Sequence, residues 1–327
     1  MRRFVAPVCK AILLGGVFYL FLNLTYSIIH PPLPSQKNPI LFYSNQTGDD
    51  IKKIFQKSIQ KAKQSIFLQI YGFTDIDLIK EVQKGSGRGL SLDVFYDPSG
   101  SPHLNDKIRE AIPIKCQGLM HKKILVLDHE TVFIGTANFT PTSLCMHDNV
   151  VIGFHHKELA HFLENSIDNK LSFLIEDQPA ELWHLPDFQN QCLHSLLNLI
   201  DTAKHSIQIS LFTFTHPQII KALIEAHQRG VLIEVALDFY TSKGASKKTV
   251  EALNGANIFP IISKQGKLLH HKWCLIDKST LLLGSANWTK SAFSKNEDCL
   301  FILYNLTSPQ NTYFEKIWKE IKSNTTK

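Results

Sequence analysis

The sequence predicts an α/β protein, with helices packed on the faces of a sheet, built twice over. Three observations carry that expectation. The chain aligns with itself at a near-constant offset, each copy alternates apolar strand-length runs with helix-length runs, and each copy carries the same spacing of His, Lys and Asp.

The repeat is read directly from the residues. Ala62-Lys63-Gln64-Ser65-Ile66 matches Ala203-Lys204-His205-Ser206-Ile207, and at the same offset of 141 Phe73-Thr74 meets Phe214-Thr215. Ile79-Lys80 then meets Ile220-Lys221, Arg88-Gly89 meets Arg229-Gly230, and Asp97 meets Asp238. The offset becomes 149 further on, so the second copy has eight extra residues, expected in a loop around Thr241 to Lys248. Two copies of this length are too few and too long for a solenoid.

Each copy has the same coarse order. A helix pattern (49–64; 190–205) leads into an apolar strand (65–71; 206–212) and a second helix (76–85; 217–228). Strands follow at 90–96 and 231–237, at 121–127 and 270–276, and at 131–135 and 280–284. A further helix is expected at 156–170. The proline-bearing stretch 173–188 reads as the connection between a first half, 49–172, and a second half, 189–323.

The amino terminus reads differently. Arg2, Arg3 and Lys10 precede the wholly apolar or glycine run Ala11 to Leu22, and a mostly apolar stretch continues to Ile29. Residues 1–30 are therefore expected to be an export signal or a membrane anchor helix, since about 20 apolar residues span a bilayer. No small-x-small cleavage site precedes the Pro-rich run at 31–34, which favours an uncleaved anchor over a cleaved leader and a secreted product. Positive charge on the amino side places the body outside the cytoplasm. Residues 31–48, rich in Pro, Ser, Asn and Gly, read as a linker.

Composition narrows the class. With 327 residues, 44% hydrophobic and 20% charged, the chain is neither disordered nor collagenous nor a coiled coil. Lys and Arg number 35 against 29 acids, a net +6 that suits a phosphate-bearing partner or a solvated surface. Cys9, Cys116, Cys145, Cys192, Cys274 and Cys299 show no metal spacing and fit small buried hydrophobes.

The chemistry sits in two segments. The first reads His121-Lys122-Lys123 through to Asp128, then Gly135-Thr136-Ala137-Asn138; the second reads His270-His271-Lys272 through to Asp277, then Gly284-Ser285-Ala286-Asn287. Residues i and i+2 of a strand share a face, so each His stands beside its Lys while Lys122 and His271 point away. A neutral imidazole beside a fixed cation suits attack on a phosphodiester, the lysine offsetting the anionic charge that repels a nucleophile. A Gly-small-Ala-Asn turn lets backbone and amide approach phosphate oxygens. A lone His-x-Lys is ordinarily structural; its duplication at identical spacing is what points to a site.

His-x-Lys followed four residues later by Asp, and then by the Gly-Ser/Thr-x-Asn turn, twice over, resembles the phospholipase D superfamily across about residues 49–323. The resemblance implies two similar α/β sandwich halves related by pseudo-twofold symmetry, with both motifs building one active site. It implies that one histidine attacks phosphorus to form a phosphohistidine while the other protonates the leaving group. His121 is expected as nucleophile and His270 as acid/base, with the reverse order open. Lys123, Lys272, Asn138 and Asn287 would hold phosphate oxygens, with Thr136 and Ser285 nearby. Asp128 and Asp277 belong to the motif and fit strand-end anchors. No metal or other cofactor is implied.

The family often places an acid 28 residues after the motif His to orient the ring. Asp298 stands there after His270, but Asn149 stands there after His121, with Asp148 one position earlier. Either Asp148 serves after a one-residue shift, or the two rings are held differently. The leading expectation is hydrolysis of a phospholipid head group at a membrane by a monomeric unit. The alternatives are a metal-independent nuclease acting on nucleic acid, a phosphatidyltransferase of the cardiolipin synthase kind, and an inactive tethered binding module.

Overall fold

The computed structural model describes residues 31–325. The first half begins with β1 (Ile40–Ser44), α1 (Ile51–Lys61), β2 (Ser65–Ile70), α2 (Ile76–Gly87), β3 (Ser91–Tyr96) and β4 (Ala111–Pro113). It continues through β5 (Lys123–Leu127), β6 (Thr131–Gly135), α3 (Pro141–Cys145), β7 (Val150–His155) and α4 (Lys157–Asn165). A hairpin of β8 (Lys170–Ile175) and β9 (Gln178–Leu185) leads to α5 (Gln191–Thr202), β10 (Ser206–Leu211), α6 (Pro217–Gln228) and β11 (Leu232–Leu237). Then come α7 (Phe239–Lys243), α8 (Lys247–Gly255), β12 (Ile261–Ile262), β13 (Lys272–Ile276), β14 (Thr280–Gly284), α9 (Lys290–Ser294), β15 (Asp298–Leu303) and α10 (Ser308–Ser323).

Among the described residues the strands form two sheets, ordered β1-β7-β6-β5-β2-β3-β4 and β12-β11-β10-β13-β14-β15-β9-β8. From β7 to β4 and from β15 to β12 the orders are the same, with the β2/β3 and β10/β11 pairs parallel and the central pairs antiparallel. The repeat in sequence is thus a repeat in topology. Strand alternation sends Ile207, Ile209 and Leu211 outward against Leu196, Ile200 and Leu223 of α5 and α6. The opposite faces of both sheets share a core in which Phe154 meets Phe301 edge-on at 5.0 Å.

Several boundaries differ from expectation. The segment read as a linker contains β1, which pairs antiparallel with β7 and gives the first sheet an edge. The segment read as a connection folds as β9 and the second half of β8, and β9 pairs with β15. The extra residues of the second copy are α7 and part of α8 rather than a loop, because the Asp238 carboxylate caps α7 by accepting from the Tyr240 and Thr241 amides. Residues 1–30, expected as an anchor, lie outside the described residues, and among the described residues no helix is long and apolar enough to cross a membrane.

Candidate active site

Both motif histidines stand just before the strands that bear their lysines, where the halves exchange backbone hydrogen bonds. The His121 amide donates to Glu297 O (2.7 Å) and the His270 amide to Asp148 O (2.9 Å). Asp97 and Asp238 fix the preceding residues, accepting from the amides of Met120 (2.9 Å) and Leu269 (3.1 Å). The repeat exposed those two aspartates, and their role emerges only in three dimensions.

The side chains cross between halves as well. His121 Nδ1 pairs with Asp298 Oδ1 at 2.8 Å, and His270 Nδ1 pairs with Asn149 Oδ1 at 3.1 Å. Each ring is held by a residue of the opposite copy, so the expectation that Asp298 orients His270 is corrected. Asp148 is corrected too: its carboxylate meets Lys267 at 2.5 Å, and the ring-holding position belongs to Asn149.

Thr136 and Ser285, expected beside the phosphate, are fully buried, and their hydroxyls donate to Asn149 Oδ1 (2.8 Å) and Asp298 Oδ1 (2.7 Å). They brace the ring-holding residues. Gly135 and Gly284 permit this close packing, since a Cβ on Gly135 would lie 2.5 Å from Val150 O and one on Gly284 would strike Cys299 O. Asn138 and Asn287 remain half-buried, and among the described residues their amide nitrogens make no hydrogen bond and are able to donate.

Lys123 and Lys272 are buried, and their ammonium groups donate to the carbonyl oxygens of His121 and His270. Burial pushes Lys123 down to about 7, and burial together with Lys123 pushes Lys272 well below its ordinary value. Burial and Lys123 lower His121, while the Asp298 carboxylate opposes them. His270 lies well below its ordinary value through burial, Lys272 and Lys123, with no carboxylate to compensate. Asp298 stays ionised despite burial because His121 and Lys123 stabilise its charge.

Asp128 and Asp277 stand apart from this cluster. A strand of five residues puts each about 16 Å from its lysine. Asp128 accepts from the amides of Lys63, Gln64 and Ser65, and Asp277 from those of Lys204, His205 and Ser206. They anchor the starts of β2 and β10, in keeping with the strand-end role expected for them, and though part of the motif they touch none of the site's groups. Among the described residues no group of three or more His, Cys, Asp or Glu is placed to hold a metal ion.

Sequence reasoning missed the aromatic walls. Tyr71 lies 5.3 Å from the His121 ring, and its counterpart Phe212 lies 5.0 Å from His270. Their positions follow β2 and β10 in the repeat, which was the available signal. Half-buried His147 lies 6.0 Å from His270. Two imidazoles and two buried lysines from opposite halves thus lie within electrostatic reach of one another, a set able to hold a phosphate, attack it and protonate a leaving oxygen.

A sequence model of the family described as "Cardiolipin synthase, PLD-like domain" matches residues 55–171 and 196–318, most of the chain. The chain belongs to the phospholipase D superfamily. Among curated superfamily relatives, it is 31% identical over 145 residues to "Mitochondrial cardiolipin hydrolase" of Mus musculus, covering 43% of this chain and 63% of that protein. It is 33% identical over 128 residues to "Phospholipase D" of Rickettsia conorii, covering 37% of this chain and 64% of that protein. It therefore spans a little under two thirds of these curated relatives. The crystal structure of phosphatidylserine synthase from Haemophilus influenzae Rd KW20 covers 90% of this chain and 88% of its own at a TM-score of 0.69 and 14% identity, a likeness of fold.

Proposed function

We propose that the protein is a phospholipase D-type phosphodiesterase that hydrolyses the head-group ester of a phospholipid through a phosphohistidine. The observation that carries this reading is the unequal holding of two histidines around one site: carboxylate on His121, amide on His270. With Nδ1–H donated to Asp298, the Nε2 lone pair of His121 attacks phosphorus and the bond to the leaving oxygen breaks. His270, donating Nδ1–H to Asn149, gives its Nε2 proton to that oxygen. It then takes a proton from water, whose oxygen attacks phosphorus and expels His121. The positive charge on phosphorylated His121 is offset by Asp298, which supports His121 as the nucleophile. Lys123, Lys272, Asn138 and Asn287 hold the non-bridging oxygens.

The lipid substrate is supported by the relatives named cardiolipin hydrolase and phospholipase D. Phosphatidyl transfer is the second reading, favoured by the description of the matching family model; an alcohol then replaces water. One chain supplies both histidines, so a monomer suffices for the site. Residues 1–30 are proposed to tether the body at a membrane on its extracytoplasmic side.

The test is one matched assay of phosphatidylcholine, cardiolipin and single-stranded DNA, with EDTA present and with or without a primary alcohol. Release of phosphatidic acid or its phosphatidyl equivalent supports the reading, and an alcohol-trapped product supports transfer. Cleavage of DNA alone overturns the lipid assignment, and a strict need for added metal overturns the mechanism.

A further inference from the structure

The two halves differ in the length of the helix that follows the last strand of each repeat. In the second half α10 spans 16 residues where its counterpart α4 spans 9, so its last two turns have no equivalent in the first half. Those turns lie against β11 and β13. Ile317, Trp318 and Ile321 join the shared core, Trp318 meets Trp273 at 5.7 Å, and Lys322 pairs with Glu234 at 3.7 Å. What remains open beside them is a cavity of about 240 Å³.

In the first half the chain leaves α4 to build the β8–β9 hairpin, and the matching face is uncovered. A groove of about 780 Å³ lies there, floored by Phe67, Gln69, Asp93 and Phe95, the counterparts of Gln208, Ser210, Glu234 and Ala236. Ile167 and Phe188 stand on its rim, 97% and 79% exposed. Four buried polar atoms of its lining have no hydrogen-bond partner: Ser65 Oγ, Gln69 Oε1, Glu164 Oε1 and His184 Nδ1. Asp93, unlike Glu234, makes no ion pair among the described residues. The lining mixes aromatic and polar groups, and its acids Asp93, Glu164, Asp168 and Glu297 outnumber its bases Lys122 and Lys295, so the groove carries an excess of negative charge and of acceptors.

We propose that this groove docks a basic amphipathic helix of a partner protein, in the manner that α10 fills the matching face of the second half. The helix lays apolar residues on Phe67, Phe95 and Phe188 and sets a Lys or Arg against Asp93. The internal copy supplies the pattern: apolar side chains at Ile317, Trp318 and Ile321 followed by basic Lys322. The bulkier floor, Phe67 and Phe95 in place of Gln208 and Ala236, selects smaller apolar side chains than Trp318 at the centre. Lys122, next to His121 in sequence, lines the groove and faces Glu297 at 3.8 Å, so a docked helix lies directly behind the catalytic strand.

The experiment uses the full chain in lipid nanodiscs and fluorescent stapled 12-residue helices on the Ile317–Lys322 register, with Trp, Leu or Ala at the central position. Saturable one-to-one binding is expected, weakened roughly tenfold by Asp93→Lys and by Phe188→Asp. Glu in place of the peptide's basic residue restores binding to Asp93→Lys, and because both positions are exposed, unchanged melting shows the variants fold. Absence of binding across the panel, or binding indifferent to both substitutions, overturns the proposal. So does displacement of the helix by monomeric lysophospholipid, or a dimer that Phe188→Asp converts to monomer, since each names a different occupant.

Discussion

Asp298 meets His121 at 2.8 Å although 177 residues separate them, and the Ser285 hydroxyl donates to the same carboxylate oxygen. Replacing the carboxylate by an amide keeps the shape and removes the charge that stabilises a cationic imidazole. Asp298→Asn is expected to lower kcat/KM by roughly 10²–10³-fold with little loss of melting temperature. Steady-state kinetics on the phosphodiester that the matched assay selects, beside a thermal melt, checks this; an unchanged rate would remove Asp298 from the mechanism.

The opposite exchange is informative at Asn149. A carboxylate beside His270 favours the charged ring, so Asn149→Asp is expected to raise its pKa and move the pH optimum upward by about one unit. A pH–rate profile measures the shift, and a downward movement contradicts the assignment of His270 as the acid.

The wild-type profile follows from the same site. His270 must carry a proton, and its pKa lies well below the ordinary imidazole value. Lys123 must be charged to hold phosphate, and its pKa is pushed down to about 7. Both are lost as pH rises, whereas His121 must be neutral, which is lost as pH falls. A bell is therefore expected in kcat/KM, with its maximum on the acid side of neutrality. The alkaline limb of kcat moves higher, because bound phosphate stabilises both cations. A kcat/KM still rising above pH 8 would exclude this scheme.

Asp277 separates stability from chemistry. Burial pushes its carboxyl up, but three backbone donors outweigh that and hold it low. Asp277→Ala removes three charge-assisted hydrogen bonds at the start of β10, two of whose amides water then solvates, and is expected to cost about 1–2 kcal/mol. Its positive φ of 50° is one that Asn tolerates, so Asp277→Asn recovers part of the loss. Denaturant melts measure the change, and kcat of the folded fraction stays within about twofold because the carboxylate touches no reacting group.

Much of this was legible in the residues. Period-two alternation placed β2, β5, β6 and their counterparts within a few residues, and the repeated His-Lys spacing located both halves of the site. Three things were not legible. A fixed spacing of 28 residues assigns Asp298 to the nearest motif, whereas the crossing of partners depends on how two sheets face each other. Thr136 and Ser285 look like phosphate ligands in a Gly-rich turn, yet strand packing turns their hydroxyls inward to Asn149 and Asp298. The strands β1 and β9 hide in Pro-bearing stretches because their pairing with β7 and β15 is long-range and leaves no local pattern.

The crossed pairing also makes the two halves unequal partners. Were two first halves to associate, each ring would face an amide; were two second halves to do so, each would face a carboxylate. Neither reunion contains one ring of each kind. The difference between Asn149 and Asp298 makes the two copies complementary, and a symmetric pair of either half would lack the division of labour that the fused chain holds.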